Sequence, residues 1–107
     1  MIKFVPYEKE NCVEVVAYDG ENSIGKASFT VEGFNMNFIS VECDDDVIIE
    51  GLARASMNYA ANRNAYIAKI SKEYSAPAFS RLGFEGEDVL TVEIPEALMS
   101  GCSGCHQ

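Results

Sequence analysis

Two stretches of this 107-residue chain carry side chains whose type and spacing could do chemistry. The first is Asp44-Asp45-Asp46, three consecutive carboxylates that open into a helical pattern. Carboxylates at a helix start meet the positive end of its dipole and cap its free N–H groups, and Asp46 is the expected N-cap. The same three could instead gather around a hard divalent cation, although consecutive side chains converge poorly. The second stretch is Cys102-Ser103-Gly104-Cys105-His106, with Cys-x-x-Cys spacing and the single histidine of the chain. Two thiolates so spaced reach one metal ion or close a small redox disulfide. A structural zinc would need one ligand more than Cys102, Cys105 and His106 supply, from Cys12, Cys43 or a second chain. Free thiols are the plain alternative.

The elements that must position these groups follow from periodicity. Ile48, Leu52, Ala55 and Tyr59 recur at helical spacing, and Ile49, Ala53 and Ala60 widen the apolar face, which predicts a helix over Val47–Asn62. Asn64 suits a left-handed stop. Before it, Ile2–Pro6 reads as an edge strand, and Val13–Tyr18, Ser23–Val31 and Met36–Glu42 read as an antiparallel meander with turns at Asp19-Gly20 and Glu32-Gly33. Met36 and Phe38 should share one face of the last of these, with Asn37, Ile39 and Val41 on the other. After the helix, Ala65–Ser71 reads as a strand parallel to Met36–Glu42, closing a right-handed βαβ unit. A short helix is expected over Ala76–Leu82, with Ser75 as cap, Pro77 at its start and Gly83-Phe84 at its end. A last strand, Val89–Ile94, should end at Pro95, leaving residues 96–107 as a tail behind a single domain over residues 1–95.

The net charge of -9 argues against nucleic acid or an anionic membrane as partner and leaves cationic partners open. With 48% hydrophobic and 23% charged residues the chain should fold alone. The N-terminus has charges where a secretory signal needs an apolar run, and no stretch has membrane length, so a cytoplasmic location is expected.

The order of elements, with GLARASMNYAANRNA and FSRLGFEG, resembles the GNAT superfamily of acyl-CoA-dependent N-acyltransferases over roughly residues 13 to 94. The first segment looks like the family's core helix and the second like its Gly-Phe signature before the final hairpin. The resemblance implies an α+β, three-layer fold with a mixed, mostly antiparallel sheet, a central βαβ unit and two helices. It leaves almost no room for the family's helices between the first two strands, which implies an open acceptor face. It places the cofactor's pyrophosphate on the backbone of Asp46, Val47, Ile48 and Ile49, where this chain lacks the family's glycines and has Asp44 and Asp45 in front. It places a cofactor-contacting Asn at Lys72 and the acid to the leaving thiolate at Phe79, which has no proton to give. Tyr74 or a cysteine thiol would then serve as acid and Glu42, Asp44 or water as base. It also takes the tail to the end of the sheet near Cys12, the preferred companion for zinc.

The expected function is that of a divergent GNAT-like protein with an eroded acetyl-CoA site, serving as a binding domain or as an N-acetyltransferase of an amine or basic peptide, monomeric or homodimeric. The alternative is a small metal-binding or thiol-redox protein that works through its tail.

Overall fold

The computed structural model describes residues 1–100. Strands β1 (Ile2–Glu8), β2 (Val13–Asp19), β3 (Asn22–Glu32) and β4 (Asn35–Glu42) form an antiparallel meander. Helix α1 (Asp46–Ala61) then crosses over to β5 (Ile67–Ser71), which lies parallel to β4. A 3-10 turn at Lys72–Tyr74 leads to α2 (Pro77–Arg81), to β6 (Val89–Glu93) antiparallel to β5, and to α3 (Ile94–Ser100). The six strands lie in chain order across one sheet. Gly20 and Gly33 take the positive φ that the two tight turns of the meander demand.

Two bulges shape the sheet. Ile24 is the extra residue of β3 against β2, and Ile39 the extra residue of β4 against β3. An inserted residue resets the alternation. Strict alternation put Val41 with Ile39 on one face; the bulge returns Val41 to the core side opposite Ala27, while Ile39 is exposed.

One face of the sheet presents Ala17, Ala27, Phe29, Met36, Phe38 and Ala68, none more than 5% exposed. Leu52, Ala53, Met57 and Ala60 of α1 pack onto it, which is the apolar stripe read from the sequence. The Phe29 ring meets the edge of Tyr59 from α1, and Phe38 meets Phe29 as well as Phe79 of α2, so α1 and α2 share this face. Gly51 lets α1 come close, because a Cβ there would overlap the Phe4 ring. Helix α3 joins the same layer: Ile94 and Ala97 are buried, and the Leu98 carbonyl accepts Arg54 Nη1 of α1 at 3.3 Å.

The α+β class, the mixed sheet and the βαβ unit match expectation. The helices differ in number and arrangement. They are three, and all lie on one side, so among the described residues the opposite face of the sheet carries no helix and the layers number two rather than three. Pro95 does not end the fold but sits in the first turn of α3, where its missing N–H costs nothing, and Glu96, Ala97, Leu98 and Met99 are good helix formers. Strand β5 starts at Ile67 rather than Ala65, and the 3-10 turn occupies residues expected as loop.

Candidate functional site

The ladder between β4 and β5 runs from Asn35 opposite Ile67 to Phe38 opposite Ile70 and stops there. Beyond the Ile39 bulge, Ser40–Glu42 stay paired with β3, while β5 passes into the 3-10 turn. The backbone ladder between the two parallel strands therefore ends at the bulge, and α1 starts from the end of β4, with α2 beside it.

The acids at this opening are engaged with backbone and with each other's partners. Asp45, not Asp46, is the N-cap of α1, and its Oδ1 accepts the Val47 N–H at 2.9 Å. Asp46 stands one residue inside the helix and looks the other way. Its Oδ1 accepts the Ala78 N–H of α2 at 3.0 Å, across 32 residues of chain. Helix α2 needs this, because its own N-cap is Ala76, with no side-chain acceptor, and Ser75 caps nothing there. Arg81, in the last turn of α2, returns to Asp46 Oδ2 and to Glu50 Oε1, and Glu50 also takes Arg54. Asp46, then Glu50, hold the Arg81 guanidinium charged beyond its ordinary range. The missed signal was in the sequence: a helix opening Ala-Pro cannot cap itself, so the acceptor had to come from elsewhere.

The residues assigned to chemistry are not brought together. Glu42 lies at the end of β4, opposite Lys26, and lines a cleft of about 490 Å³ with Val16, Ile24, Gly25, Cys43 and Asp44. Tyr74 is half-exposed in the 3-10 turn and does not line that cleft. Phe79 is fully buried, edge-on to Phe84 with ring centroids 5.1 Å apart. Lys72 is exposed, and its backbone N–H bonds the Asp88 carbonyl. Val47 is 73% exposed, Ile48 half-buried and Ile49 buried against the core. The Cys43 thiol donates weakly to the carbonyls of Ile24 and Asp45, both at 3.6 Å.

At the opposite end of α1, Cys12 lines a hollow of about 330 Å³ with Glu8, Lys9, Tyr59 and Arg63. Glu8 accepts the Tyr59 hydroxyl and Arg63 Nη2, the latter at 3.1 Å, and Arg63 lies over the Tyr59 ring. The Tyr59 hydrogen bond, then Arg63, hold the Glu8 carboxyl below its usual range, while burial and Glu8 push the Tyr59 phenol up. Cys102, Cys105 and His106 lie outside the described residues. The chain reaches them through α3, which folds back along α1 rather than leaving straight from β6. Among the described residues no group of three His, Cys, Asp or Glu could hold a metal ion, so Asp44, Asp45 and Asp46 do not converge on one point.

No protein-family model and no curated protein matches the sequence. Solved structures do match. An aminoglycoside 6'-N-acetyltransferase from Enterococcus faecium superposes with a TM-score of 0.66 at 11% identity, covering 80% of this chain and 76% of that one. An N-acetyltransferase from Staphylococcus aureus gives 0.63 at 17% identity, covering 78% and 69%. A GNAT-family N-acetyltransferase from Escherichia coli, in complex with CoA, gives 0.61 at 18% identity, covering 80% and 61%. The mixed sheet with its crossover helix is thus shared with N-acetyltransferases. The fold of this chain is the GNAT fold. No helix among the described residues is long and apolar enough to cross a membrane.

Proposed function

We propose that this chain is a GNAT-fold binding domain that keeps the architecture of an N-acetyltransferase without a working site for its anionic cofactor. One observation carries the reading. The consecutive carboxylates of Asp45 and Asp46 close the N-termini of α1 and α2, taking the Val47 and Ala78 N–H groups. A helix start holds a phosphate through free N–H groups and a positive end. Here the chain supplies its own anions. Asp44 adds a third carboxylate to the approach, and at a Debye length of about 10 Å all three oppose a diphosphate. The residues at this opening do not fit CoA. The buried Phe79 ring supports the same reading, since a phenol at that depth would need a partner for its hydroxyl.

Calorimetric titration with acetyl-CoA at low ionic strength, with and without magnesium, tests this. The expected result is no saturable heat at about 1 mM ligand, a standard free energy weaker than about -4 kcal/mol. Micromolar binding would overturn the reading and restore the enzyme. An Asp44→Gly/Asp45→Gly variant should bind acetyl-CoA more tightly than the natural chain, because it removes charge and frees the Val47 N–H.

A further inference from the structure

Two short helices are completed from one side of α1. Helix α2 has five residues and α3 has seven, both below the roughly 12 that an isolated helix needs to hold in water. Neither completes its own ends. The N-cap of α2 is Ala76, which offers no side-chain acceptor, and α3 has no basic residue in its last turn, where a cation meets free carbonyls. Both deficits are met from α1. Asp46 accepts the Ala78 N–H of α2 at 3.0 Å, and Arg54 Nη1 donates to the Leu98 carbonyl in the last turn of α3 at 3.3 Å.

Asp46, Glu50 and Arg54 are spaced four residues apart and so lie along one side of the helix. Glu50 joins the outer two. Its Oε1 takes Arg81 Nη2 of α2 at 3.2 Å and its Oε2 takes Arg54 Nη2 at 3.3 Å, while Arg81 also pairs with Asp46. Charge alternates along Asp46, Arg81, Glu50 and Arg54, and the line ends on the backbone of α3. The Arg54 and Glu50 side chains are 25% and 30% exposed, so the middle of the line is screened less than a fully solvated pair.

We propose that this line is a conformational relay centred on Glu50, through which α2, beside the opening at the end of β4, governs how firmly α3 is latched to α1. It does not depend on what the opening binds. The physical ground is the entropy cost of ordering a long side chain. Each guanidinium fixes the Glu50 carboxylate for the other, so one ordering cost serves two contacts, and such a network is worth more than its pairs taken singly. Loss of Arg81, by substitution or by α2 moving aside, frees Glu50, loosens Arg54 and weakens its hold on the Leu98 carbonyl. The chain runs on from α3 to Cys102 and Cys105, so a change at the opening is passed to the helix that leads to them.

Amide hydrogen exchange on the full chain, followed by NMR, tests this. Arg81→Gln should speed exchange of the Leu82 amide at the end of α2 and, by about two- to fivefold, of the Leu98 and Met99 amides of α3, while Phe29 and Leu52 in the core keep their rates. Glu50→Gln should speed exchange in both helices. Once residue 50 is Gln, adding Arg81→Gln should leave the rates in α3 where they are, because the relay is already cut. Rates in α3 that ignore Arg81→Gln, or that fall because Glu50 turns wholly to Arg54, would overturn the proposal. So would an equal rise at Phe29 and Leu52, which makes the loss global, and so would a full response of α3 to Arg81→Gln in the Glu50→Gln background.

Discussion

On the covered side of the sheet Phe29, Met36 and Leu52 have no exposed surface, whereas the next residues along the same strands, Ser28 and Asn37, with Lys69 beside them, face outward without a layer above. Both faces are built on one backbone, so their difference lies in side chains and in what packs on them. A single helix layer must supply nearly all the apolar burial for folding. The other face is thereby relieved of most of that role.

The sharpest way to break this comparison is Phe79→Ala. Phe79 is fully buried and touches Phe38 and Phe84 edge-on, so its removal leaves a cavity under α2. Denaturant unfolding should show a loss of about 3–5 kcal/mol. A loss under about 1 kcal/mol would mean that α2 is not part of the stabilising layer.

Asp46→Ala comes next. It removes the cap of the Ala78 N–H together with one of the two carboxylates that hold Arg81. The cap is worth about 1–2 kcal/mol, and the ion pair adds little, because Arg81 and Asp46 are both more than a third exposed. Asp46→Asn keeps an acceptor and should recover most of the loss. Equal damage from both substitutions would show that charge, not the cap, holds α2.

The covered face was largely legible in the sequence. Its helix period and strand alternation are short-range signals, and Leu52, Ala53 and Ala60 landed where the pattern put them. Three features were not. The Ile39 bulge depends on how β4 meets β3, which alternation within one strand does not encode. The role of Asp46 depends on α2, 32 residues away. Pro95 reads as a stop because it follows a strand, although the helix formers behind it make it a start. In the candidate site, the types of residue were legible and their directions were not: Asp45 and Asp46 are neighbours in sequence that cap different helices.

A smaller effect separates the two faces by pH. The Glu8 carboxyl is stabilised in its charged form by the Tyr59 hydroxyl and Arg63, so its folded pKa lies below the ordinary 4.5. A group depressed in the folded state contributes stability that is present above the unfolded value and lost as pH falls through the folded one. Glu8→Gln should therefore lower the unfolding midpoint at pH 7, and the gap from the natural chain should close below about 4.5. Tyr59, raised in the folded state, has the opposite sign: its share persists below pH 10 and is lost as pH rises through the folded value. A gap for Glu8→Gln that stays constant from pH 7 to 3 would mean that the carboxylate charge contributes nothing.

The smallest change in stability is expected at Lys69, and there the comparison of faces is most exposed to failure. Lys69 lies in a central strand, half-buried, between Asn37 of β4 and Thr91 of β6. On a face that helped hold the fold, such a position would respond like a core site. If the face is free of that role, Lys69→Gln keeps the length and polarity of the stem, removes one charge, and should leave the unfolding free energy within about 0.5 kcal/mol. A stability loss beyond about 1 kcal/mol would place Lys69 among the residues that hold the fold, and the uncovered face would then be a second, polar part of the core.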